Sequence, residues 1–316
     1  MTSSPNKRTY SNTIHEPWRP VSASQCIPWF AVLGTECLTI VILNVIIIIV
    51  FVKQRQLQRR STYLIIHQTI VDLLVGLVSG PLLIEMYGSW YCGLWKDRYI
   101  AWLSILRVAG IQFIAVSLLS LAVISLERVH ATFRPYKHRF IKKWVYGMII
   151  TVIWLVHIFL MTIANHTYFH VSSDLMYFSY FFTLVFFVVI CYISIYLKVR
   201  CSNHPQHHGA ANLRERKLSS TLFLVSLCSL ITFLPLIVYW GCVLFSTANF
   251  SIQSAFPFLM VRITFAGANS LINPLVYAIR MPEVRRGILQ IIFRRASNRV
   301  NPVNIQLQNL ARGRKC

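Results

Sequence analysis

Seven stretches of this chain are apolar over about 20 residues or more, a pattern that leaves few folds open. They run over 29–52, 62–86, 100–130, 144–165, 175–199, 216–245 and 254–279. An α-helix needs about 20 such residues to cross about 30 Å of hydrocarbon. Backbone polar groups must be satisfied inside lipid, so each stretch is predicted to be a helix. The alternation of a membrane β-barrel is missing. No stretch pairs a short apolar core with the small-residue cleavage site of a signal peptide. The prediction is all-α: a seven-transmembrane helix bundle over 29–279. Residues 1–28 are polar, hold Pro5, Pro17, Pro20 and Pro28, and read as an N-terminal tail.

Composition agrees. The chain is 56% hydrophobic and 13% charged, against about 45–50% and 25% for a soluble domain. That excludes a soluble globular enzyme and a disordered chain. Eight Cys in 316 residues are too sparse for a secreted disulfide scaffold. Lys and Arg number 31 against 9 acids, a net charge of +22. With the N-terminus outside, 23 of those 31 cations fall on inner loops and the inner tail. The charge is then a topology signal and an attraction to anionic inner-leaflet lipid, not a nucleic-acid site. The sequons at Asn165 and Asn249 fall on predicted outer loops, as glycosylation requires. These features imply a multi-pass plasma-membrane protein with a cytoplasmic C-terminus. No internal repeat supports a transporter of two inverted halves.

Ionisable groups inside a membrane are costly and are functional candidates by default. The spans hold Glu36, Asp72, Glu85, Arg107, Glu127, Arg128 and Arg262. Several keep informative company, in chain order. Asn44 lies in the first span, and Asp72 in the second within Val71-Asp72-Leu73-Leu74. Glu127-Arg128-Val129 ends the third, with Pro135 seven residues beyond Arg128. Trp154 marks the fourth, Tyr192 the fifth and Phe233-Leu234-Pro235 the sixth. Asn273-Pro274-Leu275-Val276-Tyr277 ends the seventh. Over essentially its whole length the chain resembles a rhodopsin-like (class A) G-protein-coupled receptor.

The resemblance implies a receptor, not an enzyme, which passes an extracellular ligand signal to a heterotrimeric G protein. Pro235 kinks the sixth helix, whose inner end would swing outward. Arg128 would be held at rest by Glu127 and Glu215, then released to meet Tyr192 and Tyr277. Pro274 belongs to the same switch. Asp72, Ser117, Asn269 and Asn273, with Asn44, match the family's sodium positions. They imply either Na⁺ as an allosteric ion, since hard cations take oxygen ligands, or a hydrated hydrogen-bond network. No other cofactor is implied. A short amphipathic interfacial helix over 280–295 would lay Val284, Ile288, Leu289, Ile291 and Ile292 in lipid. The tail over 296–316 offers Ser297 as a kinase site, with arrestin a further partner.

Departures narrow the ligand. Leu103 stands where the family has a third-span Cys, and residues 165–176 hold none. The outer cysteines are Cys26 and Cys92, which either join the tail to the first outer loop or stay thiols. Leu184 replaces the fifth-span proline, and the set bears a weak resemblance to the melanocortin–cannabinoid–adenosine branch. Gly110 stands at the amine-binding acid position, which disfavours a monoamine, and Gly267 at the retinal lysine position. Arg107, three residues before Gly110, shares its helix face. With Arg262 it favours an anionic ligand, unless Glu85 pairs with Arg107. Phe233 completes the expected pocket. The competing class, a seven-helix transporter or enzyme, needs clustered acids or metal ligands, which the spans lack.

Overall fold

Nothing but intrahelical bonding satisfies the backbone of these apolar stretches in hydrocarbon, and helices are what they form. The computed structural model describes residues 20–54, 62–96, 101–167, 173–201, 224, 227–242 and 252–297. Backbone alone is described at 101–111, 139, 161, 163–167, 173–174, 199–201, 252–254 and 292–297. The helices are α1 (Ala23–Lys53), α2 (Thr62–Trp90), α3 (Ala101–Phe133), α4 (Lys143–Thr167), α5 (Ser173–Cys201), α6 (Leu227–Cys242), α7 (Ile252–Arg280) and α8 (Pro282–Ser297). One helical turn, Pro135–Arg139, links α3 to α4. Among the described residues there is no strand. Six of the helices there are long and apolar enough to cross a membrane, and the described part of α6 is shorter.

α3 packs against α2, α4, α5 and α7, and α1 against α2 and α7. Leu118, Leu121 and Ile124 of α3 build the main apolar core with Ile47, Phe51, Leu64, Phe233 and Tyr277. Outward, Leu155, Ile158 and Phe159 of α4 and Phe182, Phe186 and Ile190 of α5 are exposed. Such a belt suits a hydrocarbon solvent and not water. α1 and α2 approach closely because α2 carries glycines at the contact. A Cβ on Gly76 would lie 2.8 Å from Ile40 Cγ2, and one on Gly80 only 1.9 Å from Cys37 Sγ.

Three local features depart from the sequence-based expectation. First, α1 begins at Ala23, not at 29, and runs through Pro28. Proline there removes a single bond near the helix start, where breakage is cheapest. The turn is also pinned from outside: Cys26 is disulfide-bonded to Cys92, with Cα atoms 6.3 Å apart. The Val21 N–H donates to the Tyr91 carbonyl at 2.8 Å. The bridge therefore ties the first turns of α1, rather than a tail, to the turn just after α2.

Second, α2 extends to Trp90 and contains a π turn over Val75–Ser79. The Gly80 N–H bonds the Val75 carbonyl, five residues back. Pro81 has no N–H for Leu77, which favours a widened turn at this point.

Third, α8 starts at Pro282, a residue suited to the first helical position. Val284 is buried against the bundle instead of lying in lipid. Gly287 allows this, since a Cβ there would be 2.6 Å from Gln54 Nε2 and 2.7 Å from Val50 Cγ1. Leu289 faces outward.

Candidate functional site

Midway through the bundle, polar side chains of α2, α3 and α7 converge on Asp72, which is fully buried. Its Oδ1 accepts from Ser117 Oγ at 2.8 Å and Ser270 Oγ at 2.8 Å. Its Oδ2 accepts from Asn273 Nδ2 at 2.7 Å. Gln68 Nε2 donates to both oxygens, at 3.1 and 3.3 Å, and to Ser117 Oγ at 2.7 Å. Asn269 Nδ2 also reaches Ser117, at 3.2 Å. Asn44 Nδ2 spans from α1 to the Ser270 carbonyl at 3.1 Å. A buried carboxylate without a counter-charge costs several kcal/mol unless hydrogen bonds replace its hydration. These donors supply that replacement, and they tie α2 to α3 and α7.

The donor chemistry suits a hard cation: the amide oxygens of Asn44, Gln68, Asn269 and Asn273 are buried with no hydrogen-bond partner among the described residues. The space does not. An ion bridging Asp72 and Ser117 must touch oxygens of both, and Gln68 Nε2 stands at that bridging point. With Gln68 in this arrangement, the residues expected to hold sodium do not fit it.

Near the C-terminal end of α3, Arg128 is buried and both its Nε and Nη2 bond Glu127 Oε2. The other oxygen, Oε1, accepts from His138 Nε2 at 2.6 Å and from Tyr146 Oη at 3.4 Å. One acid thus gathers α3, the Pro135–Arg139 turn and α4. Glu215, the expected second partner of Arg128, lies outside the described residues. Tyr277 is buried with its hydroxyl unpartnered among the described residues. Tyr192 is buried beside Ala122 and Val188. Pro274 lies within α7.

At the opposite end of the bundle, Arg262 in the N-terminal half of α7 turns into aromatic company. Its guanidinium carbon lies 4.4 Å from the Tyr239 ring centroid and 5.3 Å from that of Trp240. Nη2 donates to Tyr87 Oη at 3.4 Å. Phe233 is fully buried two residues before Pro235 in α6, stacked on Phe181 of α5 with centroids 6.2 Å apart. The Glu85 carbonyl accepts from Trp95 Nε1 at 2.9 Å. Arg107 and Gly110 are on α3, with their side chains outside the described residues, as are the Asn165 and Ser297 side chains and all of Asn249.

Sequence reasoning missed Gln68, Ser270, His138, Tyr146, Tyr87 and Tyr239. Gln68 had a signal: a polar residue four positions before Asp72 shares its helix face. The others meet their partners only through the packing of separate helices.

The chain matches the model of the seven-transmembrane receptor (rhodopsin family) over residues 43–277. It is 28% identical over 196 residues to "Dopamine receptor 2" of Caenorhabditis elegans, a match covering 55% of this chain and 22% of that protein. It is 25% identical over 325 aligned positions to "Trace amine-associated receptor 9" of Rattus norvegicus, covering 87% of this chain and 92% of that protein. Neither is named for the melanocortin–cannabinoid–adenosine branch. The family model covers about three quarters of the chain, including Asn44, Asp72, Arg128, Pro235 and the Asn273–Tyr277 segment, so the chain belongs to the rhodopsin family of seven-transmembrane receptors, which are not enzymes.

Proposed function

We propose that this receptor couples an extracellular ligand to a heterotrimeric G protein by outward movement of the inner end of α6, with its N-terminus outside. The observation that carries this reading is Arg128, buried at the inner end of α3 and held by Glu127. A buried cation gripped by a single acid is a two-position element, and only contacts that differ between states shift such an equilibrium. Released from Glu127, Arg128 would be available to a partner protein and to the hydroxyls of Tyr192 and Tyr277. The test is agonist-independent nucleotide exchange on a panel of G proteins in membranes carrying the receptor. Exchange above control membranes that Arg128→Ala abolishes supports coupling; no exchange with any G protein removes it. Kinases acting at Ser297 and arrestin belong to the same proposal, as do glycans on Asn165 and Asn249.

The ligand we favour is anionic. The two relatives are named for amines, but Gly110 stands here where the resemblance puts an amine-binding acid. Arg262 supports the anionic reading, because its Nε is buried without a partner among the described residues. A carboxylate would complete that guanidinium in charge-assisted bonds. Potency of an active ligand unchanged in both Arg107→Ala and Arg262→Ala would overturn this assignment.

A further inference from the structure

We infer that Gln68 does the work of a monovalent cation at Asp72, holding α2 to α3 without an ion. Three distances carry the inference: Gln68 Nε2 lies 2.7 Å from Ser117 Oγ and 3.1 and 3.3 Å from the two Asp72 oxygens. A single N–H₂ group thus bridges the carboxylate and the hydroxyl that a small cation would have to bridge. The carboxylate itself sets the amide orientation. Turned over, Gln68 would face an oxygen against two carboxylate oxygens, with no proton between them.

The rest of the shell fits a dipole at this point better than a charge. Asp72 accepts from four donor groups, the Gln68 amide, Ser117, Ser270 and Asn273, which match the about four lone-pair directions of a carboxylate, so its acceptor capacity is used. Ser117 gives its proton to Asp72 and accepts from Gln68 and Asn269. An ion entering here would have to displace the Gln68 amide and turn the other donors. Removing the Gln68 side chain changes the balance. Asp72 and Ser117 then lose their shared donor, and the amide oxygens of Asn269 and Asn273, unpartnered among the described residues, are free to turn toward a hard cation.

The consequence is directional. The natural receptor is indifferent to sodium, and loss of Gln68 creates a sodium site. The experiment is thermal unfolding of the purified full-length receptor in lipid nanodiscs, in sodium chloride or choline chloride at equal ionic strength. The expected result is the same Tm in both salts for the natural receptor. For Gln68→Leu, sodium should raise Tm by about 2–4 °C, and adding Asp72→Asn should abolish that rise. A sodium-dependent rise in the natural receptor as large as in Gln68→Leu overturns the proposal. So does a Gln68→Leu protein that ignores sodium. Should Gln68→Leu not fold, Gln68→Ala takes its place. Sodium-23 NMR decides independently on the natural protein: line broadening beyond that of Asp72→Asn means that the ion binds despite Gln68.

Discussion

Arg262 lays its guanidinium 4.4 Å over the ring of Tyr239, joining α7 to α6 at the outer end of the bundle. Helix α6 is the one whose inner end is proposed to move, so its outer tether matters. A desolvated cation–π pair is worth about 2 kcal/mol and an exposed one about 0.5–1. Tyr239→Leu and Arg262→Ala should each lower Tm of the ligand-free receptor. In a double-mutant cycle their coupling should be about 1 kcal/mol, and strict additivity would show that the stack contributes nothing.

The inner cluster makes a prediction of opposite signs. Glu127 accepts from His138 at 2.6 Å, and a bond to a charged group contributes about 1.5–3 kcal/mol. If the active state gives up this bond, His138→Ala raises basal nucleotide exchange by about tenfold or more, since about 1.4 kcal/mol is a factor of ten. Glu215→Ala should raise it too if Glu215 is the second resting partner of Arg128 that the family resemblance implies. Arg128→Ala lowers it, because the same side chain is needed for coupling. Exchange rates at matched surface expression decide, and a flat His138→Ala response sinks that part of the lock.

The Cys26–Cys92 bridge closes a 66-residue separation. A bridge of this kind typically contributes about 2–4 kcal/mol. Cys26→Ser, Cys92→Ser and the double substitution should lower Tm by the same amount, since all three remove one bond. A larger loss in the double variant would mean that the thiols act separately. Mass spectrometry of unreduced proteolytic peptides should recover the linked pair.

Gly80 sets the distance between α1 and α2. The Cβ of Gly80→Ala would overlap Cys37 Sγ at 1.9 Å. Overpacking of this kind costs about 1–3 kcal/mol. Cys37→Ala should recover part of that loss, because the overlapping atom is removed. Gly80→Ala that is no less stable than the natural protein would show that the helices separate freely.

The bundle itself was legible because apolar length is a local property: about 20 residues in a row can be counted without knowing their neighbours. Asp72, Arg128 and Asn273 were legible as charged or polar groups where lipid tolerates few. The start of α1 was misjudged because Pro28 reads as a stop, whereas the disulfide and the Tyr91 carbonyl hold the helix open to Ala23. Gln68 passed unnoticed because an uncharged amide is a weak signal in an apolar run. Its meaning depends on Ser117, which is 49 positions away. His138 gave no sign for the same reason: its partner is on another element, and only the turn after Pro135 brings the two together.

The π turn in α2 has a consequence for how pocket positions are counted. One extra residue in a turn rotates everything beyond it by about 100°. The inner half of α2 is phased by Asp72, which must face the polar centre. The outer half is phased by Cys92, which must meet Cys26. Val75–Ser79 lets the two halves obey separate constraints. Glu85 and Tyr87 therefore occupy the angular places that their neighbours would hold on an unbroken helix. A residue-by-residue alignment with a relative whose second helix is uninterrupted will match the half before Val75 and misassign the half after Ser79 by one.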